Sequence, residues 1–290
     1  MISDVYNLFI EPFSDFSFMQ RALWGCIVLS ISATPIGVFL TLRRMSLTGD
    51  AMAHAILPGA AIGFLISGVS IIAMTIGGII AGCIVAILAG IVARYSNAEE
   101  DSSLAAFYLL SLAAGVLIIS AKGSNVDLLH VLFGSVLALN NDALILLTSI
   151  ATISVLSLTV LYRPLVFECV DPDFFKSVSK LSAIAHYAFL LLVVLNLVAG
   201  FHALGTLMSV GLMILPAAIS RFWSEKLGVM LLIALLTSII SSYLGLFLSF
   251  HVSFATSPAI VLVMGIIYIV SLLFGQHGGL LSKKSHKLHS

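Results

Sequence analysis

The stretch "RRMSLTGDAMAHAILPGAAIGFLI", Arg43 to Ile66, decides the reading of this chain. Two arginines open an apolar run of membrane-helix character, yet Asp50 and His54 stand inside it at a spacing of i and i+4. An aspartate at the centre of a membrane helix costs about 2.5–3.5 kcal/mol on insertion scales, and less near the ends. Such a residue is a candidate for function by default. The i, i+4 spacing puts both side chains on one helix face, where a carboxylate oxygen and an imidazole nitrogen can share a divalent cation. A cap pair at the start of the helix fits the same spacing. Pro58 then removes a backbone hydrogen bond one turn beyond His54. A bent, Gly-rich helix with polar groups at its break suits a transport path, and ordinary packing permits it too.

The rest of the chain supplies the setting. Of 290 residues, 60% are hydrophobic and 9% charged, against about 25% charged in a soluble domain. This composition describes an all-α polytopic membrane protein whose solvent is the lipid bilayer. Nine apolar segments are expected, at about 22–42, 46–67, 69–93, 103–121, 143–162, 183–200, 203–220, 227–249 and 256–274. Together they form a single transmembrane domain over residues 1–290, with an inner loop at about 163–182 and a tail at about 275–290. The segments at 46–67 and 203–220 are short and interrupted by Gly or Pro, Pro216 in the second. With the N-terminus outside and the C-terminus inside, eleven of the thirteen basic residues fall on the inner side and only Arg21 and Lys122 outside, as the positive-inside bias requires. Gly59 and Gly63, like Gly78 and Gly82, have the spacing that lets helix backbones approach closely in a membrane.

Several function classes are excluded. Net charge is zero, with no basic arm for nucleic acid and no acidic tail for a basic partner. The first twenty residues lack the basic start and apolar middle of a cleavable signal peptide, so none is expected. Cys26, Cys83 and Cys169 have no CxxC spacing, and the first two read as small apolar packers. On the assignment of sides, Asp50 is the one acid within a span, and Glu168 belongs to the inner loop. His130, His202 and His251 fall on the outer side as interfacial residues or entrance groups. His277, His286 and His289 sit in a solvated tail.

The inner loop contains "DPDFFKSVSK", a helix start with Asp171 as N-cap and Pro172 at the first position. Phe174 and Phe175 would form an exposed apolar knob that needs the membrane interface or a partner protein to cover it. No GxxxxGK[ST] occurs, so energy from ATP must come from another chain.

These residues together resemble the permeases of bacterial ABC importers for zinc, manganese and iron. "RRMSLTGDAMAHAILPGAAIGF" is similar to that family's opening signature, and "VDPDFFKSVSK", "GTLMSVGLMILPAAISRF" and "LLHVLFGSVLALNNDAL" follow its later motifs in order. Phe175 and Ser179 depart from the pattern, standing where Ala and Gly are usual. The resemblance implies a type II-like ABC importer permease in the bacterial cytoplasmic membrane. It implies a homodimer around a central path, a cytoplasmic ABC ATPase subunit and an extracytoplasmic metal-binding protein. On that pattern Asp50 and His54 line the metal path, and Asp171, Pro172, Phe174 and Phe175 couple to the ATPase. The metal is cargo rather than a resident cofactor, with zinc expected first, manganese next and iron third. Two rivals stand beside this reading. An ion-coupled secondary carrier would run without ATP. An intramembrane metal enzyme lacks ligands, since catalytic zinc takes three protein ligands and no HExxH occurs.

Overall fold

The computed structural model of the chain describes residues 11–68, 70–95, 100–121, 136 and 139–281. Within them eleven helices follow one another: α1 (Glu11–Asp15), α2 (Ser17–Leu42), α3 (Ser46–Ser67), α4 (Ile71–Tyr95), α5 (Glu100–Ala121), α6 (Asn141–Val170), α7 (Pro172–Val178), α8 (Leu181–Leu204), α9 (Thr206–Trp223), α10 (Leu227–Val252) and α11 (Thr256–Phe274). No strand occurs among the described residues. In hydrocarbon no water is present to satisfy backbone polar groups, so a chain this apolar must close its hydrogen bonds within each segment. Eight of these helices are long and apolar enough to cross a membrane, and α5 contributes a shorter apolar stretch, Ser102–Ile118. The nine expected segments therefore all appear as helices. Lys122, Asp127, His130, His286 and His289 lie outside the described residues.

Helices α2 and α8 form the centre of the bundle and are largely buried, with Phe39 and Phe189 the largest of their fully enclosed side chains. The outer helices turn isoleucine, leucine and valine outward, as expected where the solvent is lipid. Helix α3 packs mainly on α4 and α5. The contact is close because Gly59 faces the Gly77 carbonyl and Gly63 faces that of Ala73, where a Cβ has no room. Gly78 and Gly82 instead admit the side chains of Ile56 and Val194.

Prolines inside helices free a carbonyl one turn back. Pro216 in α9 frees the oxygen of Leu212, to which the Thr34 hydroxyl on α2 donates at 3.5 Å. Helices α8 and α9 are joined through Gly205 alone, whose φ of 89° is a backbone conformation that favours glycine.

The connection from α2 to α3 is a Schellman turn. The amide of Met45 donates to Leu40 and that of Arg44 to Thr41, with Arg44 at φ 59° where glycine is usual. The Arg221 guanidinium also donates to the Thr41 carbonyl, placing a cation at the α2 C-terminus. These contacts gather the end of α2, the start of α3 and the end of α9 at one end of the bundle.

Two expectations about the inner loop need correction. The helix expected at 143–162 runs to Val170, making α6 30 residues long. That is about 45 Å, well beyond a hydrocarbon core of about 30 Å. The polar connection at 163–182 therefore shrinks to α7 and its flanks, because Tyr162 to Val170 continue the helix through Pro164.

Candidate metal path and docking helix

Helix α3 carries the polar pair that opened the sequence analysis. Asp50 Oδ1 and His54 Nε2 lie 3.8 Å apart on one face, with side chains 62% and 40% exposed. This is too long for a hydrogen bond. Two ligands each about 2.1 Å from a shared ion stand about 3–4 Å apart, so the pair already has the spread of two cation ligands. The cap alternative finds little support. The helix begins after Met45, which makes no side-chain cap bond, and Asp50 lies beyond the first turn with its free amides.

The elements around the pair hold it from behind. The His54 ring stacks on Tyr108 of α5, with centroids 6.1 Å apart. Ser111 of α5 donates to the Ala55 carbonyl at 3.1 Å. Pro58 leaves the His54 carbonyl without its helical donor, and Gly115 of α5 packs against the Pro58 ring. On the other side Gly49 rests on Ile214 and Met213 of α9, beside Pro216. Leu47, Asp50 and Ile62 on α3 are left exposed in the single chain, so the pair opens onto an uncovered face. Among the described residues no group of three or more His, Cys, Asp or Glu side chains is arranged to hold a metal ion. An ion held by this pair would have two protein ligands from one chain.

The expectation that Asp50 is the one acid within a span needs correction, because α6 runs to Val170 and takes in Glu168 as well. Asp50 is exposed, whereas Glu168 is buried, its side chain 2% exposed at the end of α6. Glu168 faces Arg43, whose side chain is 8% exposed, at 3.5 Å between Oε2 and Nη2. It also accepts a hydrogen bond from Ser182 of α8. Arg43, read from sequence as a marker of the membrane edge, is thus a buried partner. Nothing in local spacing signals this, because α2, α6 and α8 meet only in the folded bundle.

Helix α7 starts as expected. The Asp171 carboxylate accepts from the Phe174 amide at 2.9 Å, and Pro172 follows in the first turn. The two phenylalanines differ, however. Phe174 is 61% exposed, while Phe175 is half-buried and stacks on Phe167 at 5.8 Å. The expected double knob is a single exposed ring, flanked by exposed Val170 and Val178. The helical period turns Phe175 back toward α6.

Among the remaining histidines, His202 is half-buried against Phe201, and its Nε2 meets no partner among the described residues. His251 is exposed beside the Phe247 carbonyl. His277 lies 3.5 Å from Glu225 and its amide donates to the Phe222 carbonyl, which ties the start of the tail to the end of α9. Cys26 is buried as expected, and the other two cysteines are half-buried.

The likeness to known proteins covers the whole bundle. The chain is 33% identical to the manganese transport system membrane protein MntC of Halalkalibacterium halodurans, over 96% of this chain and 94% of that one. It is 32% identical to the manganese import system permease protein ScaB of Streptococcus parasanguinis, over 91% and 92%. Its fold superposes on a chain of the solved structure of PsaBC from Streptococcus pneumoniae in complex with Fab. That match has a TM-score of 0.82 and 29% identity, and it covers 98% of this chain and 100% of that one. The pattern of the ABC 3 transport family matches residues 15–275, which takes in every helix long enough to span, the Asp50–His54 pair and α7, and the chain belongs to that family.

Proposed function

We propose that the chain is the membrane permease of an ATP-driven importer of divalent transition metal ions, and that Asp50 and His54 hand the ion across. As a member of its family it is a transport subunit and not an enzyme, with ATP hydrolysis on a separate subunit. The observation that carries the proposal is the exposed carboxylate–imidazole pair, 3.8 Å apart on the uncovered face of α3. A charged group facing lipid is costly, so that face needs a polar partner or water. A second copy of the chain, set with its own α3 opposite, would line a path with two carboxylates and two imidazoles.

Such a site leaves positions for water, which suits a transport site that must release what it binds. Mixed oxygen and nitrogen ligands with open positions serve manganese well and zinc acceptably. The named relatives transport manganese, so manganese takes first place in the proposal, ahead of the zinc favoured by the sequence, with iron after both. The exposed Phe174 ring on α7 would seat in the cytoplasmic ATPase, and an extracytoplasmic metal-binding protein would deliver the ion. The membrane is the cytoplasmic membrane of a bacterium.

The test is metal accumulation in cells lacking other manganese and zinc importers. Asp50→Ala should abolish uptake with the complex still assembled. His54→Ala should reduce uptake and shift the preference toward manganese over zinc, because removing imidazole leaves a harder oxygen site. Normal transport by an assembled Asp50→Asn complex would mean that the carboxylate is not a ligand.

A further inference from the structure

We infer that Arg43 and Glu168 form a mechanical joint that ties the docking helix α7 to the start of the ion-bearing helix α3. This deepens the transport reading above and rests on it. Glu168 stands in the last turn of α6, just ahead of the Asp171 cap of α7. Ser182 stands in the first turn of α8, just after α7, and its hydroxyl donates to Glu168. The two residues flanking α7 therefore meet at one carboxylate. From there the link passes to Arg43, whose Nη2 lies 3.5 Å from Glu168 Oε2. The same Nη2 donates to His186 Nδ1 at 2.7 Å, so that nitrogen carries no proton. The guanidinium carbon lies 5.3 Å from the Phe189 ring centre, which fixes the cation against α8.

Arg43 lies within the Schellman turn into α3, and Asp50 follows little more than one turn into that helix. The turn's two backbone hydrogen bonds leave the connection no slack. A displacement of α7 that moves Glu168 and Ser182 together must either drag Arg43 and the base of α3 or break the ion pair.

The chemistry argues against a purely stabilising role. A buried ion pair roughly breaks even against a well-packed apolar replacement, because desolvation offsets the Coulomb attraction. This pair is not even well satisfied: Arg43 Nη1 is buried without a hydrogen-bond partner among the described residues. A single long contact in place of a two-pronged one holds geometry and can be remade after a shift. Ser220 and Thr41, at the same end of the bundle, donate instead to the Ala217 and Gly37 carbonyls of their own helices.

The experiment uses the full complex with its ATPase in liposomes, and reads radioactive manganese taken up per ATP hydrolysed. Two variants are compared with wild type: Glu168→Gln, and the double replacement Arg43→Met with Glu168→Met. The double variant removes both charges, so it leaves no unpaired buried ion to unfold the bundle. We expect both complexes to assemble and hydrolyse ATP, with uptake per ATP falling about tenfold or more. Glu168→Asp, which keeps the charge, should recover part of the ratio. A wild-type ratio in the double variant would overturn the joint, and so would failure of both variants to assemble, since the pair would then serve folding alone. Asp50→Ala runs in parallel. If it is inactive while the double variant is normal, only the joint falls; if it transports normally, the transport reading falls and takes the joint with it.

Discussion

Replacing Gly59 by alanine tests the close contact that holds α3 against α4. A Cβ built at Gly59 lies 2.6 Å from the Gly77 carbonyl carbon and 2.7 Å from Ala81 Cβ. Carbon atoms settle at about 3.5–4.0 Å, so α3 and α4 must part by about 1 Å. The obstruction is backbone on the facing helix and cannot turn aside as a side chain would. Overpacking costs about 1–3 kcal/mol where side chains can yield, and the upper end applies at this site. For a chain of 290 residues, with about 2.1 cal/mol/K of unfolding entropy per residue, that corresponds to a fall of about 5 °C in Tm. The assay is thermal unfolding of the purified permease in detergent, followed by manganese uptake. Gly265→Ala in α11 is the control, because open space surrounds a Cβ there. Alanine in a helix interior gains about 1 kcal/mol over glycine, so the control should match or exceed wild type. Equal stability of the two variants would refute the reasoning, since α3 and α4 would then not touch at Gly59. A stable Gly59→Ala protein with normal uptake would also detach the α3–α4 seam from the transport path.

Three further outcomes are expected. Phe174→Ser should weaken copurification of the ATPase by about 2 kcal/mol, the scale of a buried aromatic anchor, while Phe175→Ser should act through loss of the Phe167 stack and lower Tm instead; unchanged copurification with Phe174→Ser would place that ring against lipid. Arg44→Gly should raise Tm modestly, because glycine relieves a left-handed conformation that costs an L-residue about 1 kcal/mol, and a fall in Tm would show that the Arg44 side chain, not its backbone, matters to stability.

The sequence alone determined most of the fold. Apolar runs of membrane length force helices, since no other open structure satisfies its backbone in lipid. The helices at 46–67 and 256–274 appear at the expected residues. The cap at Asp171 and the close approach at Gly59 and Gly63 were legible because each depends on neighbours in the chain or on the absence of a side chain. The Asp50–His54 pair was legible for the same reason, since i and i+4 share a face in any helix. What only the tertiary structure decided is where charge is buried. The sequence assigned Glu168 to a polar loop and Arg43 to the membrane edge, because each looks solvated beside its own neighbours. In the bundle they find each other, with Ser182 and His186 alongside. It likewise separated Phe174 from Phe175, one ring outward and one on Phe167. Burial of a charge depends on partners from distant segments, and helix packing alone sets which segments meet.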